Sequence, residues 1–235
     1  MEFELFETVR VENRKAIFID RHYERIQRSA IILKIPFNLP KEDFKTLIED
    51  AAPESGNYLV KFTLSYSGKT SISFRECQIP GEISLMFSDR IKRKNDFLSR
   101  HKTSSIYESI IAVQAAREKG FTEVILSDTK GFISETAFAN IFFVKNGVFF
   151  TPSLETGCLP GTRRAIVLEI LKEMNVPVFE GFFTKEKILK ADEVLITSTR
   201  YDVVSVHRIE DKNFNLAGKT WGERLKKVMD LIKFK

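Results

Sequence analysis

Short strand-like stretches alternate with helical stretches along the whole chain, and this alternation restricts the possible folds more than any other feature. Apolar residues recur at every second position in some stretches and at every third or fourth position in others. The strand-like stretches are 3–11, 16–19, 57–66, 70–76, 82–87, 123–127, 141–144, 148–151, 176–179, 194–197 and 203–207. The helical stretches are 22–33, a second one from Pro40, 104–119, 161–174, 185–190 and 220–232. Strands and helices in both halves predict an α+β fold.

Composition restricts the class of protein. The 235 residues, 43% of them hydrophobic, suit one or two domains with a sizeable core. The net charge of +5 is spread among acids and bases, which argues against a nucleic-acid-binding protein. No apolar run is long enough to cross a membrane, and the opening MEFELFETVR does not have the plan of a signal peptide. Two distant cysteines and three scattered histidines predict neither disulfides nor a metal site. We therefore expect a cytoplasmic protein.

A polar, basic stretch divides the chain. Residues 88–100, SDRIKRKNDFLSR, show little apolar periodicity and follow the last strand of the first half. We therefore expect a small α+β domain over 1–90, a connector over 91–101 and a larger domain over 102–235. No internal repeat is visible.

Four places carry residues that could do chemistry. Lys102 precedes a helix at the expected domain junction, where loss of solvent could make a lysine a nucleophile, although most such lysines are solvated. Glu135 lies in the apolar stretch GFISETAFANIFF and needs a partner if it is buried, but it could equally be a turn residue. Gly161 in LPGTRR opens a helix, and the stretch 197–200 ends a strand. Both are possible phosphate cradles, and both also fit ordinary loops.

The order of these features resembles that of the class IV, fold-type IV pyridoxal-phosphate enzymes. This family contains branched-chain aminotransferases, D-amino-acid aminotransferases and 4-amino-4-deoxychorismate lyases. The resemblance runs from about Phe6 to Glu210 through six ordered elements. They are LFETVRV, RHYERIQRSA, Lys102 before its helix, GFISETAFANIFFVKNGVFFTP, CLPGTRRA and ADEVLITSTRYDVVSV. It implies a two-domain architecture like that of D-amino-acid aminotransferase.

The resemblance also implies a cofactor, pyridoxal 5'-phosphate, and a role for each matching residue. Lys102 would bind the cofactor covalently and move protons at the substrate's α-carbon. Glu135 would pair with the pyridine nitrogen, and Tyr107 would lie against the phenolate oxygen. The implied phosphate contacts are Arg25, Gly161, the amides of Thr162 and Arg163, Ser198 and Thr199. Arg163 stands where the family usually has threonine, so one hydroxyl contact is expected to be absent.

Two activities of this family remain open, together with a cofactor-free binding module on the same fold. The threonine of Phe6-Glu7-Thr8 favours a lyase that releases pyruvate from aminodeoxychorismate and leaves 4-aminobenzoate for folate synthesis. Tyr107, and the absence of an arginine in LSYSGKTS, favour an aminotransferase that acts on branched-chain or D-amino acids with 2-oxoglutarate. We expect the lyase, with Thr8, Lys69 and Arg200 as substrate contacts. The resemblance also implies a homodimer.

Overall fold

The described residues, 3–218 and 220–234, form two units in the computed structural model. The first unit contains 3–79, 101–105 and 232–234, and the second contains the described residues of 80–100 and 106–231. These units differ from the expected domains at the connector. Residues 88–93 continue a strand, and 101–105 belong to the first unit because they pair with its first strand.

The first unit is a four-stranded antiparallel sheet with two helices. Its elements are β1 (Glu4–Glu12), β2 (Lys15–Ala16), α1 (Ile19–Ile32), α2 (Lys41–Asp50), β3 (Asn57–Ser65) and β4 (Thr70–Glu76), in sheet order β2-β1-β3-β4. Alternate residues of β1 and β3, such as Val9 and Phe62, are buried against the apolar faces of the helices, which include Ile26 and Phe44. This alternation leaves the other face of the sheet for polar residues.

The predicted strand at 16–19 is wrong after Ala16, because residues 17 and 18 form a turn and α1 begins at Ile19. Phe18 adopts a left-handed backbone conformation with φ of 52°, which turns the chain from β2 into the helix. A side chain with high strand propensity therefore stands at a helix start, where the local turn outweighs the propensity.

The second unit contains two five-stranded sheets and four helices among the described residues. The first sheet has the order β10-β9-β8-β11-β12 and the second β14-β13-β5-β6-β7. Its strands are β5 (Ser84–Arg93), β6 (Glu123–Asp128), β7 (Ile133–Thr136), β8 (Asn140–Lys145), β9 (Val148–Pro152), β10 (Val178–Gly181), β11 (Glu193–Ser198), β12 (Asp202–Ser205), β13 (Arg208–Ile209) and β14 (Lys212–Asn213). Its helices are α3 (Tyr107–Glu118), α4 (Thr162–Glu173), α5 (Lys185–Leu189) and α6 (Trp221–Ile232).

Apolar residues from both sheets meet in one core, which includes Ile125, Phe143 and Ile196. The predicted hairpin at 141–151 is present as β8 and β9, with positive φ at Asn146 and Gly147 as a tight hairpin turn requires. The connector predicted from the basic stretch is instead largely strand and a 3-10 turn at Phe97–Arg100, since Lys92 and Arg93 pair with β6. No helix of the described residues is long and apolar enough to span a membrane.

Candidate active site

Lys102 lies beside the first strand of the first unit. The carbonyl oxygen of Lys102 accepts a hydrogen bond from the Phe6 amide at 2.9 Å, and Thr103 forms an antiparallel bridge with Leu5. This register places Lys102 opposite Phe6, so the two side chains lie on the same face of the sheet. The Lys102 ammonium nitrogen is 4.3 Å from the centre of the Phe6 ring.

The face that carries Lys102 is largely polar, apart from Phe6 and Leu59. Phe6 pairs with Thr63, which pairs with Ser71, and the two hydroxyl oxygens lie 2.6 Å apart. In the adjacent row of residues Thr8 pairs with Lys61, which in turn pairs with Ser73. The side chains of this second row lie on the same face of the sheet as those of the first row, because side chains two apart in a strand share a face.

Lys61 is a basic residue of this face that was not predicted from the sequence. Its ammonium nitrogen lies 4.9 Å from the centre of the same Phe6 ring that Lys102 contacts. Lys69, the predicted substrate contact, is instead exposed in the turn between β3 and β4. The alternation in Val60-Lys61-Phe62 is a signal in the sequence that could have identified Lys61.

Arg25 lies in a buried cluster of charged side chains on the other face of the same sheet. Its Nε and Nη2 atoms donate to the two carboxylate oxygens of Glu7 at 2.7 and 2.6 Å. The Nδ1 atom of His22 lies 2.7 Å from Glu7 Oε2. Burial alone would raise the pKa of Glu7, but the charge and hydrogen bonds of Arg25, together with His22, lower it to about 2.

The helix that carries Arg25 is also bonded to the residue before Lys102. Nδ1 of His101 lies 3.0 Å from the Ser29 hydroxyl, one helical turn beyond Arg25. Burial and the nearby charge of Arg28 lower the pKa of His101. The first unit therefore holds Arg25 and Lys102 in one framework of α1, β1 and the segment 101–104.

Glu135 lies in β7 of the second unit and is only 7% exposed, so it is a strand residue and not a turn residue. Its Oε2 accepts a hydrogen bond from the Leu159 amide at 3.1 Å. Its Oε1 lies 2.8 Å from Nε of Arg93, a second residue that the sequence analysis missed. Arg93 is held in turn by the Ser109 hydroxyl and the Ala137 carbonyl. The carboxylate is therefore fixed from two sides.

The N-terminus of α4 lies close to this carboxylate. Gly161 precedes the helix, and a Cβ atom there would lie 2.0 Å from Oδ1 of Asn140, so only glycine fits. Asn140 donates to the Leu159 carbonyl at 2.9 Å and lies 3.5 Å from Glu135 Oε2. The first-turn amides of a helix have no partner inside the helix and carry partial positive charge, which favours a phosphate group.

The end of β11 completes this region of the second unit. Thr197 pairs with Asn140, and Ser198 is the last residue of the strand. Thr199 and Arg200 follow in a turn and are partly exposed. Thus the predicted residues Glu135, Gly161 and Ser198 lie on neighbouring elements.

Three further predicted site residues differ in the placement of their side chains. The side chain of Arg163 points into the core, where its Nε atom lies 3.0 Å from Asp202, so only its backbone belongs to the start of α4. Tyr107 begins α3 and is 60% exposed. The Arg200 guanidinium lies over the Tyr201 ring, 5.4 Å from its centre.

A comparison with protein families decides between the enzyme and the binding module. Residues 4–209 match the model of the amino-transferase class IV family. The chain belongs to this family. It is therefore an enzyme, a transaminase or lyase, that depends on pyridoxal phosphate, as the sequence predicted. The α+β fold-type IV architecture is confirmed as well.

Individual relatives carry different names. The chain is 30% identical to a "Probable branched-chain-amino-acid aminotransferase" of Thermotoga maritima, over 89% of this chain and 78% of the relative. In structure it is similar to a "Putative 4-amino-4-deoxychorismate lyase" of Legionella pneumophila, with a TM-score of 0.87 and 24% identity over 97% of this chain and 90% of that one. A Thermotoga maritima structure titled as a "putative branched-chain amino acid aminotransferase" has a TM-score of 0.83 and 27% identity, and the match covers 97% and 84% of the two chains.

Proposed function

We propose that this class IV enzyme is a 4-amino-4-deoxychorismate lyase, which releases pyruvate and leaves 4-aminobenzoate. The observation that carries the proposal is the polar character of the sheet face that bears Lys102. A branched aliphatic side chain needs an apolar pocket, because burying it against hydroxyl and ammonium groups takes these groups out of water and costs free energy. The rows around Lys102 offer hydroxyls and the ammonium group of Lys61 instead.

The charge on this face suits an anionic substrate. Aminodeoxychorismate is a cyclohexadiene that bears two carboxylates, so a site for it needs at least one basic group besides Lys102. Lys61 meets this requirement, since it contacts the same aromatic ring as Lys102. We therefore assign the substrate contact to Lys61 and Thr8 in preference to Lys69 and Arg200, because Lys69 is exposed and Arg200 stacks on Tyr201.

The cofactor-binding residues fit pyridoxal phosphate in charge and in shape. The amides of Thr162 and Arg163, in the first turn of α4 after Gly161, suit a phosphate group. Arg25 supplies a fixed guanidinium, and Ser198 and Thr199 supply hydroxyls. When it is bound, pyridoxal phosphate acts as an electron sink for the substrate's α-carbon.

Lys102 and Glu135 have separate tasks in this proposal. Lys102 would hold the cofactor covalently, and its amine would move the proton at the substrate's α-carbon. The Glu135 carboxylate, fixed by Arg93 and the Leu159 amide, would keep a proton on the pyridine nitrogen. A carboxylate held before the reaction begins needs no reorganisation as charge develops in the ring.

An aminotransferase of amino acids is the second candidate, favoured by the named Thermotoga relative. One experiment separates the two activities. The enzyme is incubated with aminodeoxychorismate and, separately, with a panel of L- and D-amino acids plus 2-oxoglutarate. We expect 4-aminobenzoate and pyruvate from the first reaction, with weak transamination of leucine or D-alanine. Rapid 2-oxoglutarate-dependent loss of one amino acid without 4-aminobenzoate would favour the aminotransferase.

A homodimer is the third part of the proposal. Helix α3 exposes Tyr107, Ile110 and Ile111, and Phe138 of the same unit is also exposed. Apolar side chains grouped on one helix suggest that a second copy covers them, since such patches mark interaction sites. Sedimentation at micromolar concentration is expected to show twice the 27.1 kDa chain mass. A monomer that still turns over substrate would contradict this.

A further inference from the structure

We propose that Glu7 is a positioning residue, which fixes the guanidinium of Arg25 in the orientation that binds the cofactor phosphate. This inference rests on the phosphate role proposed above for Arg25. Glu7 belongs to β1, which is bonded to Lys102, and Arg25 belongs to α1, which contacts His101.

The contact has the geometry of a clamp. Nε and Nη2 of Arg25 each donate to a different oxygen of Glu7, which fixes the plane of the guanidinium as well as its position. The carboxylate is itself held, because His22 contacts Oε2 and the Glu7 side chain is completely buried. Arginine has five N–H donors in a rigid fork, and the bidentate contact uses one edge of it. We assign the phosphate to the N–H groups of the guanidinium that Glu7 does not hold.

Stability alone is a weak reason for this cluster. A buried ion pair often contributes no more to folding than apolar side chains of similar volume, because both charges lose their hydration. An arginine that must meet a phosphate in one orientation does need such a clamp, since a free side chain would lose rotamer entropy on binding. The bond between Ser29 and His101 extends the same framework to the residue before Lys102.

The test separates positioning from charge. Glu7→Asp keeps the negative charge but is one methylene shorter, so it cannot hold both nitrogens of Arg25. Arg25→Lys keeps the positive charge and removes the fork. Four variants of the full-length protein are compared after removal of the cofactor. They are the two single variants, the double variant and a control, Glu76→Asp, at an exposed position of β4. Affinity is measured by absorbance titration with pyridoxal phosphate and with pyridoxal, which lacks the phosphate.

We expect Glu7→Asp to weaken pyridoxal phosphate binding by about 10-fold, the effect of one charge-assisted hydrogen bond, and to leave pyridoxal binding unchanged. The double variant should bind no more weakly than Arg25→Lys, because both changes remove the same interaction. Unchanged phosphate-dependent affinity, an equal loss for both ligands or additive losses would each overturn the proposal. If Arg25→Lys alone has no effect, the phosphate role of Arg25 fails, and this result is independent of the lyase assay.

A second variant covers the case in which Glu7→Asp does not fold, as judged by circular dichroism. Glu7→Gln keeps the length of the side chain and one acceptor for Nε, but loses the second contact. The positioning role predicts a loss of phosphate-dependent affinity. An increase in that affinity would show that Glu7 acts on the phosphate only by repulsion, and would overturn the proposal.

Discussion

Glu123→Gln is predicted to make the protein more stable at pH 8 but not at pH 5. Glu123 begins β6 and is buried. Burial raises its pKa from the ordinary 4.5 to about 7, although the amides of Val124 and Ala137 and the Thr136 side chain favour the charged form. The folded protein therefore holds this proton more tightly than the unfolded chain does.

The sign and size follow from this difference. The contribution of Glu123 to the free energy of unfolding is complete below pH 4.5 and is lost as the pH rises through 7. The gap between these two values corresponds to about 3 kcal/mol. Glutamine is neutral throughout, so the loss does not occur in the variant. It forgoes a hydrogen bond of the protonated acid, which costs about 1 kcal/mol at either pH.

Urea unfolding at pH 5 and pH 8, without cofactor, measures the effect. We expect Glu123→Gln to be slightly less stable than the wild type at pH 5 and about 2 kcal/mol more stable at pH 8, with unchanged m-values. Glu118→Gln, on the exposed surface of α3, is the matched control and should show no such crossover. An equal difference from the wild type at both pH values would refute the argument that burial controls the protonation of Glu123.

Three further predictions concern the site and its support. Glu135→Gln is expected to lower kcat about 100-fold with a small change in cofactor affinity, since the amide does not keep the pyridine nitrogen protonated; steady-state kinetics and absorbance titration test this. Lys61→Ala should raise KM for aminodeoxychorismate about 10-fold or more, whereas Lys69→Ala should leave it unchanged, and equal effects in kinetic assays would remove Lys61 from the site. Asp202→Asn should cost about 3 to 5 kcal/mol in urea unfolding, because it removes the buried carboxylate beside Arg163, and a loss below 1 kcal/mol would contradict this.

Much of the fold follows from local sequence. The hairpin of β8 and β9 was predictable because Asn146-Gly147 adopts the positive φ angles of a tight turn between two apolar runs. The helix after Gly161 was predictable because glycine and the following pattern mark a helix start. The strand formed by 88–93 was not, because its pairing with β6 depends on residues more than thirty positions away. The charged side chains of 88–93 do not show the apolar alternation of a strand, and this stretch forms a strand because it pairs with β6.

The candidate site also combines features that local sequence predicts with features that depend on distant parts of the chain. The family motifs predicted Lys102, Glu135 and Gly161 as site residues, and the family and its cofactor are confirmed. The partners of these residues could not be predicted, because the contacts of Arg93 with Glu135 and of Glu7 with Arg25 join elements distant in the chain. The side-chain direction of Arg163 was also hidden, since the same residue type suits a phosphate site and a buried ion pair.

Chemical trapping of the cofactor tests the central claim, that Lys102 is the reacting lysine, most directly. The enzyme loaded with pyridoxal phosphate is reduced with borohydride and digested, and the labelled peptide is sequenced by mass spectrometry. Lys102→Ala and Lys61→Ala are treated in parallel. We predict that the label is on Lys102, that it persists in Lys61→Ala and that it is lost in Lys102→Ala. A label on Lys61, Lys69 or any other lysine of the wild-type protein would contradict the account.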